Sequence, residues 1–211
     1  FAAAATGIAS AGRFVDSANT RDGTRVVRGM MTTSEKVLVL RVVKADNTSR
    51  GNDRDNPELN AFVYPESGTV ECPDWVDNDR CGNGLHGWLW GSGDVVSNCP
   101  YWNARGAKWL VIEVDVADLR HGSGELVGKC KWRRGEIMFR GERDEAVKYI
   151  SERAPAGTPV MFSSVTAGDY GTATAGDYGT ATAGHGGTAT AGERGTASVG
   201  VGGTATAGER G

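Results

Sequence analysis

Long apolar runs are missing from these 211 residues. No stretch of 18 or more apolar residues occurs, so the sequence offers no helix able to span a membrane. A basic excess is missing too. Lys and Arg number 23 against 26 Asp and Glu, a formal net charge of −3, and no nucleic-acid-binding signature is present, so no nucleic acid is expected as a partner. Catalytic and cofactor signatures are also lacking. "GNG" and "GSG" do not build a GxGxxG turn before a helix, and there is no Walker lysine, HExxH or GxSxG. No enzyme activity and no cofactor are expected. The acidic stretches "NDRDNPE" and "DWVDND" lack the terminal Glu of a calcium loop and read as solvated loops. The four cysteines, Cys72, Cys81, Cys99 and Cys130, contain no CxxC and match no zinc spacing, so no metal is expected. Reduced thiols and one or two disulfides both stay open, with three full pairings allowed. The opening "FAAAATGIASAG" has no basic region before its small apolar residues and does not read as a secretory signal. A start at Phe1 suggests a processed, trimmed or renumbered beginning.

What is present divides sharply. Every Trp, Phe and Cys precedes Thr166; from there onward the chain is mostly Gly, Ala and Thr. The first part is long enough to bury a core. "KVLVLRVV" (36–43) and "AKWLVIEVDV" (107–116) read as buried central strands, and "LVGKCKWRRGEIMF" (126–139) as two strands around Gly135, a hairpin or bulge. "GERDEAVKYISERAP" (141–155) reads as a helix: acids crowd its first turn, Ala146, Val147 and Ile150 make an apolar stripe, and Pro155 follows. The organisation expected is a small-residue arm at 1–20, an α+β globular domain at 21–160 and a repeat segment at 161–211.

The repeat is an octad, A-G-x-x-G-T-A-T, running from Ala167 to a sixth copy cut at Gly211. Size and charge are confined almost wholly to its third and fourth places. A flexible linker needs no such period, whereas a β-solenoid does. The Gly positions are expected to supply turns with positive φ. Each T-A-T is expected to form a short strand with Ala inward and both Thr outward. Eight residues are too few to close a coil, so two octads per coil are expected. Thr172 and Thr174 then stack on Thr188 and Thr190, and these on Thr204 and Thr206. Thr180 and Thr182 stack beside Thr196 and Ser198 on the other face, with rungs ~4.8 Å apart. The same count sets Tyr178 against Arg194, a cation–π pair, and lines up Asp177, Glu193 and Glu209 in a mildly repulsive column. The fold class expected is therefore mixed: an α+β domain followed by a short β-solenoid of sixteen-residue coils.

"AGDYGTAT" and "AGHGGTAT" resemble the octapeptide of bacterial ice-nucleation proteins, which form sixteen-residue β-coils with Thr ladders. "VVKADNTSRG", "CGNGLHGWLWGSGD" and "WLVIEVD" resemble the N-terminal domain of an uncharacterised bacterial and phage family in which "TAGDxGTATAG" runs follow a globular domain. The resemblance implies shape rather than activity. Ice nucleators carry far more coils, and two or three Thr rungs per face make a small ice template.

The densest patch of the first part is "CGNGLHGWLWGSGD". Cys81 and His86 are the candidates for a nucleophile and its base, with Asp94 or Glu113 as partners. Alternation along "LHGWLW" would set His86, Trp88 and Trp90 on one strand face, a possible aromatic binding surface. The plainer expectation is a turn feeding a structural strand. His121 reads as a loop residue and His185 as a variable outer position of the repeat.

Function is therefore expected to be structural or interactive. A domain would cap a Thr-ladder solenoid, and self-association would run head to tail through the end of the repeat, with "IASAGRF" (8–14) as an arm able to lie on that edge. Ice or another surface is the alternative partner of the TxT faces, and an enzyme or toxin head on a stalk is a third reading. An extracellular or cell-surface setting is favoured.

Overall fold

The computed structural model describes residues 35–50 and 61–211. The arm expected at 1–20, its "IASAGRF" segment and the "NDRDNPE" stretch lie outside the described residues. The described residues are mostly sheet with few helices. The part preceding the repeats is a seven-stranded sheet in the order β2-β7-β4-β1-β3-β6-β5, with all pairs antiparallel. Its strands are β1 (Lys36–Val43), β2 (Gly68–Glu71), β3 (Leu85–Leu89), β4 (Lys108–Asp115), β5 (Leu119–His121), β6 (Cys130–Trp132) and β7 (Arg134–Gly141).

The two apolar runs of the sequence become the central pair, β1 and β4, matched residue for residue from Lys36–Asp115 to Val43–Lys108. Both are apolar on alternating sides because both faces of the sheet are covered. Val37, Val39 and Val43 pack on one face with Tyr64, Leu110, Ile112 and Trp132. Leu38, Leu40 and Val42 pack on the other with Trp88, Trp109, Val111 and the helix α2 (Arg143–Ser151). This helix begins at a capping box, with Glu142 as its N-cap and Glu145 three residues on, and buries the expected Ala146, Val147 and Ile150. A one-turn helix, α1 (Val95–Asn98), is capped by the Asp94 carboxylate, which accepts from Ser97 N at 3.0 Å.

The expected hairpin around Gly135 does not form. The break falls at Arg133, and the two strands part company. β6 pairs with β3 and β5, while β7 pairs with β2 and β4 near the other edge. Gly135 lies inside β7, where a Cβ would stand 2.6 Å from Ile112 Cγ2 and 2.7 Å from Glu113 O. Its role is close strand approach, not a turn.

The repeats form two three-stranded parallel sheets. One is β12-β10-β8 and the other β13-β11-β9. The strands are β8 (Ser164–Ala167), β9 (Thr172–Thr174), β10 (Thr180–Ala183), β11 (Thr188–Ala191), β12 (Thr196–Val199) and β13 (Thr204–Ala207). Alternate octads share a sheet, and each partner stands sixteen residues along the chain, as in Thr172–Thr188 and Thr188–Thr204. All described residues belong to one compact unit.

Candidate functional site

The T-A-T triplets divide as strand alternation requires. Ala173, Ala181 and Ala189 are 0% exposed, and they form the repeat core together with Ala175, Ala183 and Ala191. The sixth-place Thr residues, Thr172, Thr180, Thr188, Thr196 and Thr204, are exposed. At the eighth place Thr174, Thr182 and Thr190 are half-buried and Thr206 is exposed. The sheet β9-β11-β13 carries Thr at both places on all three rungs. The other sheet carries Ser164 and Thr166, then Thr180 and Thr182, then Thr196 and Ser198. Thr182 and Ser198 hydroxyls stand 3.4 Å apart across the rungs.

The glycines act differently from expectation. Positive φ falls at the fourth place of every octad: Tyr170, Tyr178, Gly186, Arg194, Gly202 and Arg210, between 53° and 74°. Among these, only two are Gly. The invariant second and fifth places serve close packing instead, except at Gly168, where a Cβ would meet nothing within 4 Å. A Cβ on Gly192 would stand 2.6 Å from Asp177 N, and one on Gly195 2.8 Å from Ala191 Cβ and 3.0 Å from Gly179 O. So narrow an interior leaves no room for a methyl group at the turns.

The third place supplies stitching between rungs. Asp169 Oδ1 accepts from His185 N at 2.8 Å, and Asp177 Oδ1 accepts from Glu193 N at 2.9 Å. The expected repulsive column is thus offset at Asp177 by a charge-assisted bond to the next rung. At the fourth place the Arg194 guanidinium lies 5.6 Å from the Tyr178 ring centroid and donates to Tyr178 Oη at 2.7 Å.

One octad escaped the sequence pattern. "PVMFSSVT" (159–166) occupies the same frame: Phe162 has φ 60°, sixteen residues before Tyr178. Ser163 takes the fifth-place Gly, and Val165 takes the interior Ala. Its bulky Val160, Met161 and Phe162 belong to the helix-side core. Phe162 stacks on Tyr178 at 5.3 Å and on Trp102 at 5.3 Å, and meets Trp109 edge-on at 5.6 Å. Arg143 Cζ lies 4.9 Å from its centroid. The signal that could have found it is the S-V-T-A echo of T-A-T-A.

The Cys81–His86 patch builds a separate cleft of about 560 Å³, lined by Cys81, His86, Trp88, Tyr101 and Lys129 among others. It brings both residues to one cavity but seats each against a different neighbour. Cys81 Sγ accepts from Lys129 Nζ at 3.2 Å, and Cys81 N donates to Glu125 at 2.9 Å. His86 Nε2 accepts from Gly82 N at 3.4 Å. Burial, followed by the charges of Arg41, Lys129 and Lys131, pushes His86 down to about 3. Such an imidazole stays neutral near pH 7 and is a weak base there. Asp94 caps α1, and Glu113 reaches Lys36 Nζ at 3.5 Å. Trp88 is 2% exposed in the core. Trp90 lies beyond β3 in a turn with φ 53°, so the expected row of His86, Trp88 and Trp90 along one strand face does not form. All four cysteines are free thiols, three of them buried. Among the described residues no three His, Cys, Asp or Glu side chains gather as a metal would need. His121 is exposed at the end of β5, and His185 meets the Tyr170 ring edge-on at 5.6 Å.

This chain is similar to an ice nucleation protein of Pseudomonas syringae, 39% identical over 128 residues, 60% of this chain and 10% of that protein. It is 38% identical over 122 residues to one of Pseudomonas fluorescens, covering 56% of this chain and 9% of the relative. To ice nucleation protein InaU of Pantoea ananas it is 30% identical over 146 residues, 64% of this chain and 13% of the relative. The chain therefore spans only about a tenth of the length of the relatives it matches. No solved structure matches. The model of the Domain of unknown function (DUF7666) matches residues 37–148, the span from β1 into α2, and the chain belongs to that family.

Proposed function

We propose that this is a repeat-bearing structural protein in which an α+β head, over about residues 21–160, seats and registers a short β-solenoid at 161–211 whose outward Thr ladders form its working surface. The observation that carries this reading is the sixteen-residue parallel register of alternate octads. Two octads then make one coil, with Ala inside and the hydroxyl pairs of Thr172, Thr188 and Thr204 aligned on one face. Ladder hydrogen bonds and the small Ala core supply the cohesion, and the aromatic stack on Phe162 ties the first coil to the head. Pyrene labels on Thr172→Cys with Thr188→Cys, in a Cys81→Ser background, should give excimer emission. Labels on Thr172→Cys with Thr180→Cys, on opposite faces, should not. Excimer from the second pair alone would sink the coil.

A second reading, ice binding by the TxT faces, is favoured by the sheet carrying Thr at every outward place and by relatives named ice nucleation proteins. Hydroxyls at ~4.8 Å along the ladder and ~7 Å along each strand make a regular but small lattice. Ice-affinity partitioning should therefore show weak retention that Thr188→Tyr with Thr190→Tyr removes. The ice-binding reading carries an extracellular or cell-surface setting with it, where the ladders would meet ice, and relatives named ice nucleation proteins support it. The proposal includes self-association with a second copy, supported by the parallel strand pairing that already joins β11 and β13 within the chain. Sedimentation velocity and electron microscopy distinguish assemblies from single particles.

A further inference from the structure

Arg41 is out of place in its strand. It occupies the row Val37, Val39, Arg41, Val43 of β1, the second strand in from neither edge but the middle of seven, and is only 9% exposed. Arginine stays charged under all ordinary conditions, and a buried charge without a partner is strongly unfavourable. The partners it has are neutral. Nη1 donates to His86 O at 3.0 Å, and Nη2 donates to Tyr101 Oη at 3.1 Å. The Tyr64 ring lies 5.5 Å from Cζ, and Nε has no partner. Among the described residues no carboxylate pairs with it.

The cleft that Arg41 lines is built to match. Arg50 and Lys129 line it too, Asn83, Ser97 and Asn98 add neutral polar groups, and among the described residues no carboxylate lines it. Lys129 is held at the rim by Cys81 Sγ. The Arg50 backbone N donates at 3.2 Å to Tyr101 Oη, the same hydroxyl that accepts from Arg41, which fixes the main chain of Arg50 beside the cleft. An adjoining cleft shares Arg41 and Arg50 and contains Asp74, but that carboxylate is already engaged by the Cys72 thiol at 3.0 Å and Asn83 Nδ2 at 2.9 Å. At about 560 Å³ the first cleft has the size of a small-molecule site. Arg41 is buried, Lys129 half-buried and Arg50 exposed, and guanidinium and ammonium groups lining one cleft favour a planar or tetrahedral oxyanion.

We propose that this cleft binds a small molecule through a phosphate or carboxylate group held by Arg41, Arg50 and Lys129. The site is independent of the Thr ladders. The test is calorimetric titration of the full chain with inorganic phosphate and, separately, with malonate, against sodium chloride at matched ionic strength. At least one probe should bind with a Kd below about 1 mM and raise the melting temperature, by linkage of ligand to the folded state. Preference for phosphate assigns a phosphate head group, and preference for malonate a carboxylate. Lys129→Ala and Arg50→Ala alter side chains at the rim and should keep the fold, as circular dichroism would show. Each should weaken binding by tenfold or more. Absence of binding by both probes up to 10-fold above that Kd, or binding that neither substitution weakens, overturns the proposal.

Discussion

At the residue scale the informative positions are those where size or charge conflicts with surroundings. His86 is one. Its folded pKa, about 3, lies below the ordinary value of 6.5, so between these values the unfolded chain binds the extra proton. The sign follows: stability present above pH 6.5 is lost as the pH falls toward 3, by several kcal/mol at ~1.4 kcal/mol per pH unit. Urea midpoints at pH 7, 5 and 4 should fall steeply in the parent protein and less in His86→Asn, after correction for the lower starting stability of the variant. Glycine is the other case. Gly192→Ala drives a methyl into the Asp177 backbone and should cost about 1–3 kcal/mol. Gly202→Asn, at φ 74° with only His185 Cε1 nearby at 3.9 Å, should change stability by less than about 1 kcal/mol, because Asn tolerates that region. Thermal melts of the two variants check the distinction between crowding and backbone freedom. From sequence, the recurrent second-place Gly192 reads as a turn former and Gly202 as one residue of a variable place. The structure reverses this, because Gly202 takes the positive φ and Gly192 the close contact with the preceding rung.

At the scale of elements, the repeat strands were legible because their information is local. Alternation of Ala and Thr sets inside and outside within three residues, and the octad period sets the register, so the pairing of Thr188 with Thr172 and Thr204 could be written down in advance. The thin interior follows from the same pattern. Ala189→Leu overfills a position that is 0% exposed and should lower stability by about 1–3 kcal/mol. The same change at Ala197, which is half-buried, should do less. Chemical denaturation of both variants measures the difference. β6 and β7 teach the opposite lesson. Their adjacency in sequence suggested a hairpin, yet β6 finds β3 and β5 while β7 finds β4 and β2. The buried Trp132 and Lys131 help to explain it. Trp132 packs into the sheet core, and the Lys131 ammonium is held by Val76 O, Asn78 Oδ1 and Arg80 O at 2.7–3.1 Å, contacts more than fifty residues back in the chain.

At the scale of the whole molecule, the head and the repeats meet where Val160 and Met161 enter the helix-side core and along an aromatic column: Trp102 and Phe162, then Tyr178, then Arg194. Backbone bonds run beside it, from Phe162 N to Asp177 O at 2.7 Å and from Tyr178 N to Glu193 O at 2.9 Å. Phe162→Ala should remove roughly 2–3 kcal/mol, somewhat under the range for a fully buried Phe. It should also split a single calorimetric transition into two, with the repeats melting first. A single transition at unchanged temperature would show that the column couples nothing. The sequence by itself determined the octad period, the inward Ala, the outward Thr, the central strands β1 and β4 and the buried stripe of α2. Each of these is set by spacing within a few residues. Only the tertiary structure decided that Lys129 meets Cys81, that Arg41 lies buried beside Tyr101, and that "PVMFSSVT" joins the ladder. Such neighbours are distant along the chain, and their meeting depends on how the whole sheet packs, which no local period records.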